Sequence, residues 1–595
     1  MENFKMTSRL PRWKLSDLYK GMEDQSLEKE FEEAEASIHA FKTTYQGKIA
    51  SLSPETFLKS IVLFENIQEK LGKIQAYAYL LFSTHNQDEA VIGFFQGIEE
   101  RVTVLSTDLL FFTLEINRLE DKDLQNKFRN FETPYLPWIA ALRLFKGHEL
   151  SDDLEQVFHE LSIPASQAWV RLFDETLGSL NIPFEGKDLN LSDALNLFSS
   201  PDRETRKDIA TCLSRVLEEN GSLLALVYNT LMKEKGIEDK WRHYPNPQMS
   251  RHLSNQIEEE VVEALSTAVT NAYPTLSHRY YTLKAQVLGL KELQYWDRNA
   301  PLFQGGTEIT YTWEEAQSLV LEAYRDFSPE MADIGKTFFE EGWIDADLYP
   351  GKDSGAYSHP TVPSAHPYIL MNFYGKGRDV MTLAHELGHG VHQVLASSQG
   401  YFLSDTPLTV AETASVFGEM LTFQKMLKGL KDPLQKKYLL SQKIEDMLNT
   451  VVRQIAFYTF EKQVHEKRKY KELSLSDFGE IWMKTQRDAL GPIFNFDESY
   501  RIYWTYISHF IHSPFYVYAY AVGDCLVNSL YRVYEEAPIG FCEKYLDLLK
   551  AGGSKPYGDL LKPFNLNPKD PTFWTLGLSY IETLIDEFEV LVNGE

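Results

Sequence analysis

The spacing of hydrophobic positions predicts a chain built mainly of long helices. In residues 26–45, apolar side chains recur every three or four positions, as on one buried face of a helix. The same pattern covers residues 54–84 and 88–117, and short polar turns separate these segments. We therefore predict an antiparallel helical layer at the start of the chain.

Helical patterning continues through residues 150–235 and is interrupted twice, near 181–186 and at Ser199-Ser200-Pro201-Asp202. Clusters of serine, proline and aspartate between periodic segments indicate a loop, and aspartate favours the start of the next helix. We place a domain boundary at the second interruption. The prediction is a helical N-terminal domain, 1–200, and a larger domain, 201–595.

A short part of the larger domain has a different pattern from the helices around it. Three stretches between residues 293 and 357 are rich in aromatic residues, glycine, aspartate and proline, and residues 367–373 are typical of a strand. We predict a small β-sheet here, followed by mainly helical structure from residue 409 to the end. The predicted fold class is therefore mainly α, a large multi-helix body with one small sheet.

Composition and charge restrict the class of partner. The hydrophobic content of 43% and charged content of 24% are ordinary for a soluble globular protein. A formal net charge of -27 argues against a nucleic-acid partner, because phosphates would be repelled. The three cysteines, Cys212, Cys525 and Cys542, are odd in number and widely spaced, which favours a reducing compartment without disulfides.

The expected location is the cytoplasm. Residues 1–14 carry charges but no apolar run, so we expect no secretory signal. No stretch approaches the roughly 20 apolar residues that span a bilayer, so we expect no membrane partner. The sequence leaves the oligomeric state open.

The strongest chemical signal is an H-E-x-x-H motif formed by His385, Glu386 and His389. It lies in residues 379–398, which are predicted to be a buried helix that ends at Gly400. Side chains four positions apart share a helical face, so the two imidazoles can bind one metal ion. Zinc suits such ligands, and Glu386 would then accept a proton from a metal-bound water.

The alternative is that both histidines are simply solvated, since H-E-x-x-H also occurs by chance. The helix is apolar on most sides, and it contains Gly388 and Gly390. Glycine inside a helix costs about 1 kcal/mol relative to alanine. We therefore expect another backbone or a ligand to approach the helix closely at these glycines, which favours a metal site.

A third protein ligand is expected on a second helix, which begins near Thr409. Glu412, Ser415 and Glu419 share one face of this helix by spacing, so Glu412 could ligate the metal. The pair Thr409 and Glu412 also fits a capping box, in which the carboxylate would bind the start of its own helix. Spacing alone leaves both interpretations open. Glu419 could orient a ligating histidine or lie on the surface.

The two helices together resemble those of the M3 family of zinc metallopeptidases, with the greatest likeness to its oligoendopeptidase F subfamily. The resemblance rests on the H-E-L-G-H helix and on the second helix with Ala411-Glu412-x-Ala414-Ser415 and Glu419. The opening Trp13-x-Leu15-x-Asp17-Leu18-Tyr19 and the segment 514–520 are also similar to that subfamily. The second helix departs from the family pattern at Thr413 and Gly418, which leaves the ligand positions intact.

The resemblance implies one zinc ion per chain, bound by His385, His389 and Glu412, with Glu386 as the general base. It implies hydrolysis of internal bonds in short peptides. It also implies a helical body with a deep internal substrate channel that excludes folded proteins. A strand near such a site, such as residues 367–373, could pair with an extended peptide or be an ordinary sheet strand.

A cluster of histidines and tyrosines near residue 515 is the candidate for oxyanion stabilisation. His509, His512, Tyr516 and Tyr520 have helical spacing, but Pro514 interrupts the face and fits better in the first turn of a helix capped by Ser513. Imidazole and phenol donors suit a tetrahedral oxyanion, whereas a packed aromatic core is the plain alternative. The resemblance favours a catalytic role for His509, Tyr516 and Tyr520.

Two other functions fit the same residues. A helical zinc carboxypeptidase could use the same ligand set, and it would not cleave end-blocked peptides. A peptide-binding protein with a vestigial site would cleave nothing, although the intact Glu386 argues against it. The sequence therefore favours a zinc endopeptidase.

Overall fold

The computed structural model describes residues 10–129, 131–303, 309–406 and 408–594, with the side chains at 152, 156, 159, 408 and 409 outside that description. The described chain is mainly helical, as predicted, and it has three small sheets where one was expected. It divides into two compact units, each built from three separate segments. The division into 1–200 and 201–595 stays a prediction, and the compact units have different bounds.

The first unit consists of Met1–Lys146, Ile309–Gly429 and Tyr534–Asn565. Its described helices are Gln25–Tyr45, Pro54–Thr84, Glu89–Thr107, Leu110–Arg118, Asp121–Phe128, Leu136–Arg143, Trp313–Phe327, Pro329–Glu340, Gly377–Ala396, Tyr401–Ser404, Leu408–Gly429, Phe541–Lys550 and Tyr557–Leu561.

The predicted helices at the start of the chain are confirmed, with one break. Ser53 caps Pro54–Thr84 by accepting the backbone N–H of Thr56, and proline fits the first turn. The predicted helix 88–117 is two helices, because the chain leaves helical hydrogen bonding at Asp108. The Asp108 carboxylate pairs there with Lys42 at 2.5 Å.

The core of the first unit joins its N-terminal helices to its three-stranded sheet. Aliphatic and phenyl side chains from the helices form one buried cluster, and Tyr368 of the sheet belongs to it. The Tyr368 hydroxyl donates to the backbone oxygen of Lys14 at 3.0 Å, and the Trp13 ring packs edge-on against the Tyr368 ring. The opening segment is therefore held against the sheet that precedes the H-E-x-x-H helix.

The strand predicted at 367–373 is shorter and lies in the centre of this sheet. Tyr368–Leu370 pairs in parallel with Ile344–Asp345 on one side and antiparallel with Tyr357–His359 on the other. Both of its edges are therefore occupied within the sheet. The interpretation that this strand pairs with a substrate peptide is therefore wrong, and the interpretation as an ordinary sheet strand is confirmed.

The second unit consists of Gly147–Glu308, Leu430–Val533 and Leu566–Glu595. Its described helices are Asp152–Ser162, Ala168–Gly178, Leu191–Asn196, Arg203–Trp241, Met249–Ser254, Glu259–Ala272, Arg279–Val287, Pro433–Thr450, Val452–Arg468, Leu475–Leu490, His509–His512, Tyr518–Glu536 and Pro571–Asn593.

Two small strand pairs also belong to the second unit. Ile182–Phe184 pairs antiparallel with Lys187–Leu189, at the first predicted interruption of the helical pattern. Leu293–Gln294 pairs in parallel with Phe494–Asn495. At the second predicted interruption, Asp202 caps the long helix Arg203–Trp241 by accepting the backbone N–H of Thr205 at 2.8 Å.

None of the described helices combines the length and the apolar character that a transmembrane span requires.

Candidate metal centre

The H-E-x-x-H motif lies on Gly377–Ala396, hereafter the motif helix, close to the predicted bounds. Its start is fixed by Asp379, whose carboxylate accepts the backbone N–H groups of Tyr374 at 2.8 Å and Lys376 at 2.9 Å. One tighter turn follows the helix, and Gly400 then takes a φ of 83°. Glycine adopts this left-handed conformation without strain, which confirms Gly400 as the stop.

The two glycines of the motif helix allow very close packing, as inferred from the sequence. A Cβ atom on Gly388 would lie 2.5 Å from the backbone oxygen of Ala414 and 2.7 Å from the Cα of Ser415. A Cβ atom on Gly390 would lie 2.6 Å from the ring of Phe338. Gly388 therefore permits backbone contact with Leu408–Gly429, hereafter the second helix.

This close approach brings the predicted ligands together. The Oε2 atom of Glu412, on the second helix, lies 3.4 Å from Nε2 of His385 and 3.5 Å from Nε2 of His389. One ligand atom from each of the three residues lies within 4.8 Å of the others, close enough to hold one metal ion. All three side chains are partly accessible.

The carboxylate of Glu412 is directed at the two histidines. Ser415, one turn further along, donates its hydroxyl to Oε2 of Glu412 at 2.8 Å. The second helix already includes Leu408, one residue before Thr409. The Thr409 side chain, which the capping-box interpretation requires, lies outside the described residues.

Glu419 contacts the far side of the first histidine. Its Oε2 atom lies 3.2 Å from Nδ1 of His385. With the proton on Nδ1, the imidazole donates to Glu419, and its Nε2 lone pair is left to face Glu412 and His389. A carboxylate in this position fixes the orientation and tautomer of a metal-ligating histidine.

The charges around His385 favour a cation between the carboxylates of Glu412 and Glu419. Burial disfavours the charged form of His385, but hydrogen bonds with Glu412 and Glu419 outweigh burial and raise its pKa to about 10, so a metal ion that binds here would displace the Nε2 proton of this imidazole. Burial lowers the pKa of His389 to about 4, which keeps that imidazole neutral, as a ligand must be. Burial opposes the ionised form of Glu412, and His385 overcomes it and lowers the Glu412 pKa to about 2.

Glu386 lies beside this group but is much less accessible. Its side chain is buried, with 7% of the residue exposed. Burial raises the pKa of its carboxyl to about 7, and the positive charge of His385 acts in the opposite direction. A carboxylate with a pKa near neutrality can both accept and release a proton under physiological conditions.

The neighbouring strand Tyr357–His359 is hydrogen-bonded to the motif helix. Ser358 donates its hydroxyl to Gln393 at 2.8 Å, and its backbone oxygen accepts the Gln393 amide at 3.1 Å. Hydrogen bonding from the backbone of Ser358 also stabilises the ionised form of Glu386. No local pattern marks Ser358 in the sequence, because its role depends on the strand lying beside the helix.

The three candidate ligands and Glu386 line one open cleft in the first unit. The cleft has a volume of about 2080 Å³, part of which is open solvent. Its other walls include Trp138, Trp343 and Phe402, together with residues of the strand Tyr357–His359. The space is large enough for several residues of a peptide.

The second unit brings three of the other predicted residues together. Nε2 of His509 lies 3.2 Å from the hydroxyl oxygen of Tyr520, and the rings of Tyr516 and Tyr520 are 5.4 Å apart. His512 faces elsewhere, because its Nε2 lies 2.8 Å from a carboxylate oxygen of Asp174. His509, Tyr516 and Tyr520 thus form one group of imidazole and phenol donors.

The local structure of this group differs from the prediction. The helix begins at Tyr518, so Pro514 is not in its first turn and Tyr516 precedes the helix. The two histidines lie on a separate, single helical turn, His509–His512. Phe515 separates the two elements with a φ of 60°, a left-handed conformation that phenylalanine rarely adopts.

A buried carboxyl holds this unusual turn. Glu461 accepts the backbone N–H of Phe515 at 2.9 Å, and the Phe515 side chain is fully buried. Arg251 donates to the backbone oxygen of Pro514 at 3.2 Å and lies over the ring of Tyr516. Sequence reasoning missed both residues, because each is distant from the turn along the chain.

Comparison with known proteins assigns the chain to a family. The model of "Peptidase family M3" matches residues 196–579, more than half of the chain, and the "Oligopeptidase F" model matches residues 115–181. Oligopeptidase PepF of Bacillus subtilis is 27% identical over 595 residues, covering 98% of this chain and 87% of the relative. The chromosomal oligoendopeptidase F of Lactococcus lactis subsp. cremoris is 25% identical, covering 98% of this chain and 97% of the relative.

Solved structures agree on the fold. A structure from Chlamydophila abortus has a TM-score of 0.86 at 24% identity and covers 98% of this chain and 100% of that one. Oligoendopeptidase-F from Enterococcus faecium has a TM-score of 0.71 at 21% identity, covering 96% of this chain and 99% of that one. The chain therefore belongs to peptidase family M3, and it is a metalloendopeptidase similar to the oligoendopeptidase F proteins.

Proposed function

We propose that this protein is a zinc-dependent endopeptidase that cleaves internal bonds of short oligopeptides in the cytoplasm. The observation that carries the proposal is the convergence of His385, His389 and Glu412 ligand atoms within 4.8 Å of one another. Two imidazoles and one carboxylate are a donor set that zinc accepts in catalytic sites, with a position left for water. We propose about one zinc ion per chain.

Proton transfer is assigned to Glu386. Zinc bound at this site would polarise a peptide carbonyl and lower the pKa of water. Glu386 would accept a proton from the attacking water, for which its buried position and raised pKa suit it. When the C–N bond breaks, the same carboxyl would give that proton to the leaving nitrogen and return to its ionised form.

The substrate class is proposed from the relatives and from the cleft. The named relatives are oligopeptidases and oligoendopeptidases, and the cleft beside Glu386 has room for several residues of a peptide. A deep internal channel that excludes folded proteins remains part of the proposal. It would account for a preference for short peptides.

End-blocked peptides test the proposed reaction. A pool of peptides with acetylated N-termini and amidated C-termini should be cleaved at internal bonds, and a chelator should stop the cleavage. Mass spectrometry of the products locates each cut. Removal of residues only from free C-termini would make the protein a carboxypeptidase, and no cleavage of any peptide would favour a peptide-binding protein.

The two carboxylates of the second helix should differ in their effect on zinc. Glu412 contacts both histidines, whereas Glu419 contacts the far side of His385. Loss of an orienting residue typically lowers metal affinity or activity by about 10–100-fold, and loss of a ligand should exceed this. We expect Glu412→Ala to lose zinc at a lower chelator concentration than Glu419→Ala.

The measurement is the chelator concentration that removes half of the zinc, with the bound zinc determined by mass spectrometry. Ser415→Ala is a matched control, since it removes a hydrogen bond to Glu412 but no proposed ligand. It should retain zinc better than Glu412→Ala. If Glu419→Ala loses zinc first, Glu412 is not a ligand and the third metal contact lies elsewhere.

Removal of a phenol hydroxyl from the group formed by His509, Tyr516 and Tyr520 should slow the reaction more than it weakens substrate binding. A donor that stabilises the oxyanion acts mainly in the transition state, so its loss lowers kcat more than it raises KM. We expect Tyr516→Phe or Tyr520→Phe, and His509→Ala, to lose about 10²–10³ in kcat. Each variant should fold and bind zinc normally.

Steady-state kinetics on one end-blocked peptide provides this comparison. His512→Ala is the matched control, because His512 lies on the same short helix but contacts Asp174. It should keep a kcat near that of the wild type. Wild-type kcat in both phenylalanine variants would show that these hydroxyls serve packing alone.

A further inference from the structure

One peptide bond in the second unit is held at both of its polar groups. Nε of Arg251 donates to the backbone oxygen of Pro514 at 3.2 Å, and Glu461 accepts the backbone N–H of Phe515 at 2.9 Å. That oxygen and that N–H belong to the same planar peptide bond, and in a trans peptide they point in opposite directions. The two side chains therefore hold the peptide plane from opposite sides.

The backbone conformation after this peptide bond needs such support. Phe515 has a φ of 60°, and a residue with a side chain is strained in this left-handed region. Strained conformations persist where the surrounding contacts determine them. Rotation of the Pro514–Phe515 peptide plane would change the φ of Phe515 and break both hydrogen bonds. Arg251 and Glu461 thus oppose the return of Phe515 to an ordinary conformation.

The carboxyl of Glu461 lies where an apolar side chain would be less costly. Glu461 is fully buried on the helix Val452–Arg468, and a buried polar group is destabilising unless it is hydrogen-bonded. Burial raises the pKa of this carboxyl to about 8, and the hydrogen bond from Phe515 and the charge of Arg251 act in the opposite direction. The carboxyl is therefore largely protonated at neutral pH, and its contact with the Phe515 amide explains its presence.

Buried residues on both sides of Tyr516 direct its phenol outward. Phe515 and Val517 are fully buried, whereas Tyr516 stays partly accessible. The Phe515 ring packs 4.6 Å from the ring of His465, and the guanidinium of Arg251 lies over the Tyr516 ring. The place of the Tyr516 hydroxyl therefore depends on the peptide bond that precedes Phe515.

We propose that Arg251 and Glu461 are positioning residues for the Tyr516 hydroxyl, which they hold in place by fixing the Pro514–Phe515 peptide bond. The inference rests on the proposed role of Tyr516 as a donor to the oxyanion. Such a donor acts only at a defined distance and angle, so a small displacement lowers the rate. Both residues are assigned an action through the backbone and no contact with the substrate.

Loss of the Glu461 contact should lower kcat through Tyr516. Leucine fills a similar space but accepts no hydrogen bond, whereas glutamine keeps the acceptor and resembles the protonated acid. We expect Glu461→Leu to lower kcat by up to about 10²-fold with little change in KM, and Glu461→Gln to stay close to the wild type. Val464→Ala is the matched control, because Val464 is fully buried on the same helix and its loss removes only apolar packing. It should keep the wild-type kcat.

Double-mutant kinetics separates positioning from general damage to the fold. If Glu461 acts by holding the Tyr516 hydroxyl, Glu461→Leu should lower kcat by less than about twofold when Tyr516→Phe is already present. A defect elsewhere would instead cause the same loss in both backgrounds, and that result would overturn the proposal. Wild-type kcat in Tyr516→Phe would also overturn it, while cleavage of the same peptide would leave the endopeptidase assignment standing.

Fluorine NMR provides a readout that does not depend on catalysis. Ring-fluorinated tyrosine at position 516 alone gives one resonance, whose shift and width report the surroundings of this ring. Glu461→Leu should shift or broaden this resonance, and Glu461→Gln and Val464→Ala should leave it unchanged. An unchanged resonance in Glu461→Leu would overturn the proposal, whether or not the wild type cleaves peptides.

Arg251→Met provides the second variant if Glu461→Leu does not fold. Arg251 is partly accessible, and methionine keeps an unbranched side chain without the donor to Pro514. We expect this variant to fold, bind zinc and lower kcat only while Tyr516 keeps its hydroxyl. An equal loss of kcat with and without Tyr516→Phe would show that Arg251 acts by another route and would overturn its assignment.

Discussion

Replacement of Glu386 by glutamine should abolish nearly all peptide cleavage while leaving the zinc content unchanged. Glutamine has the size of glutamate but cannot accept the proton of the attacking water. General acid–base catalysis typically contributes about 10²–10⁴ in rate, and Glu386 is assigned both proton transfers.

The test compares turnover of an end-blocked peptide with zinc content in the same preparations. His389→Ala is the matched variant, because it removes a proposed ligand from the same helix. It should lose zinc as well as activity. If Glu386→Gln loses as much zinc as His389→Ala, Glu386 acts as a ligand and its assignment as the proton acceptor is refuted.

Addition of a single methyl group at Gly388 should disrupt both stability and the metal centre. The new Cβ atom would lie 2.5 Å from the backbone oxygen of Ala414, a distance that backbone atoms cannot tolerate without moving. Overpacking of this kind typically costs about 1–3 kcal/mol or more. Separation of the two helices would also move Glu412 away from His385 and His389, so zinc affinity should fall.

Gly377→Ala is the matched control on the same helix. Among the described residues, a Cβ atom there would meet only the methyl carbon of Met426, at an ordinary distance of 3.8 Å. Denaturant unfolding and zinc analysis should show Gly377→Ala close to the wild type and Gly388→Ala impaired in both. Wild-type stability and zinc affinity in Gly388→Ala would mean that the two helices do not pack as closely as described.

The sequence was most informative where function depends on local spacing. His385 and His389 share a face because a helix repeats every 3.6 residues, and apolar neighbours identify that helix. The glycine content of the same segment correctly indicated a close approach. Glu412 could not be distinguished from a capping residue by spacing, because only the packing of the second helix directs its carboxylate at the histidines.

Features that depend on contacts distant along the chain were not predictable. The left-handed turn at Phe515 is stabilised by Glu461, which is more than fifty residues earlier. The sequence pattern instead indicated a helix that begins at Pro514. The sheet was located correctly, but the order of its strands follows from pairing with Ile344–Asp345 and Tyr357–His359, which no local pattern specifies.

Chain organisation illustrates the same limit of local reasoning. Loop composition at Ser199–Asp202 marks a real break between helices, and Asp202 caps the helix that follows. The compact units, however, are each assembled from three segments. Hydrophobic spacing identifies where a helix begins and ends, but the choice of packing partner depends on the shapes of the assembled faces.

Zinc dependence of the reaction can be measured by titrating metal-free protein with zinc and following cleavage of an end-blocked peptide at each step. We expect no cleavage without metal and a rise in rate that stops at about one zinc ion per chain. His389→Ala should show no such rise at the same zinc concentrations. Full activity in the metal-free protein, or an unchanged response in His389→Ala, would contradict a zinc endopeptidase centred on these residues.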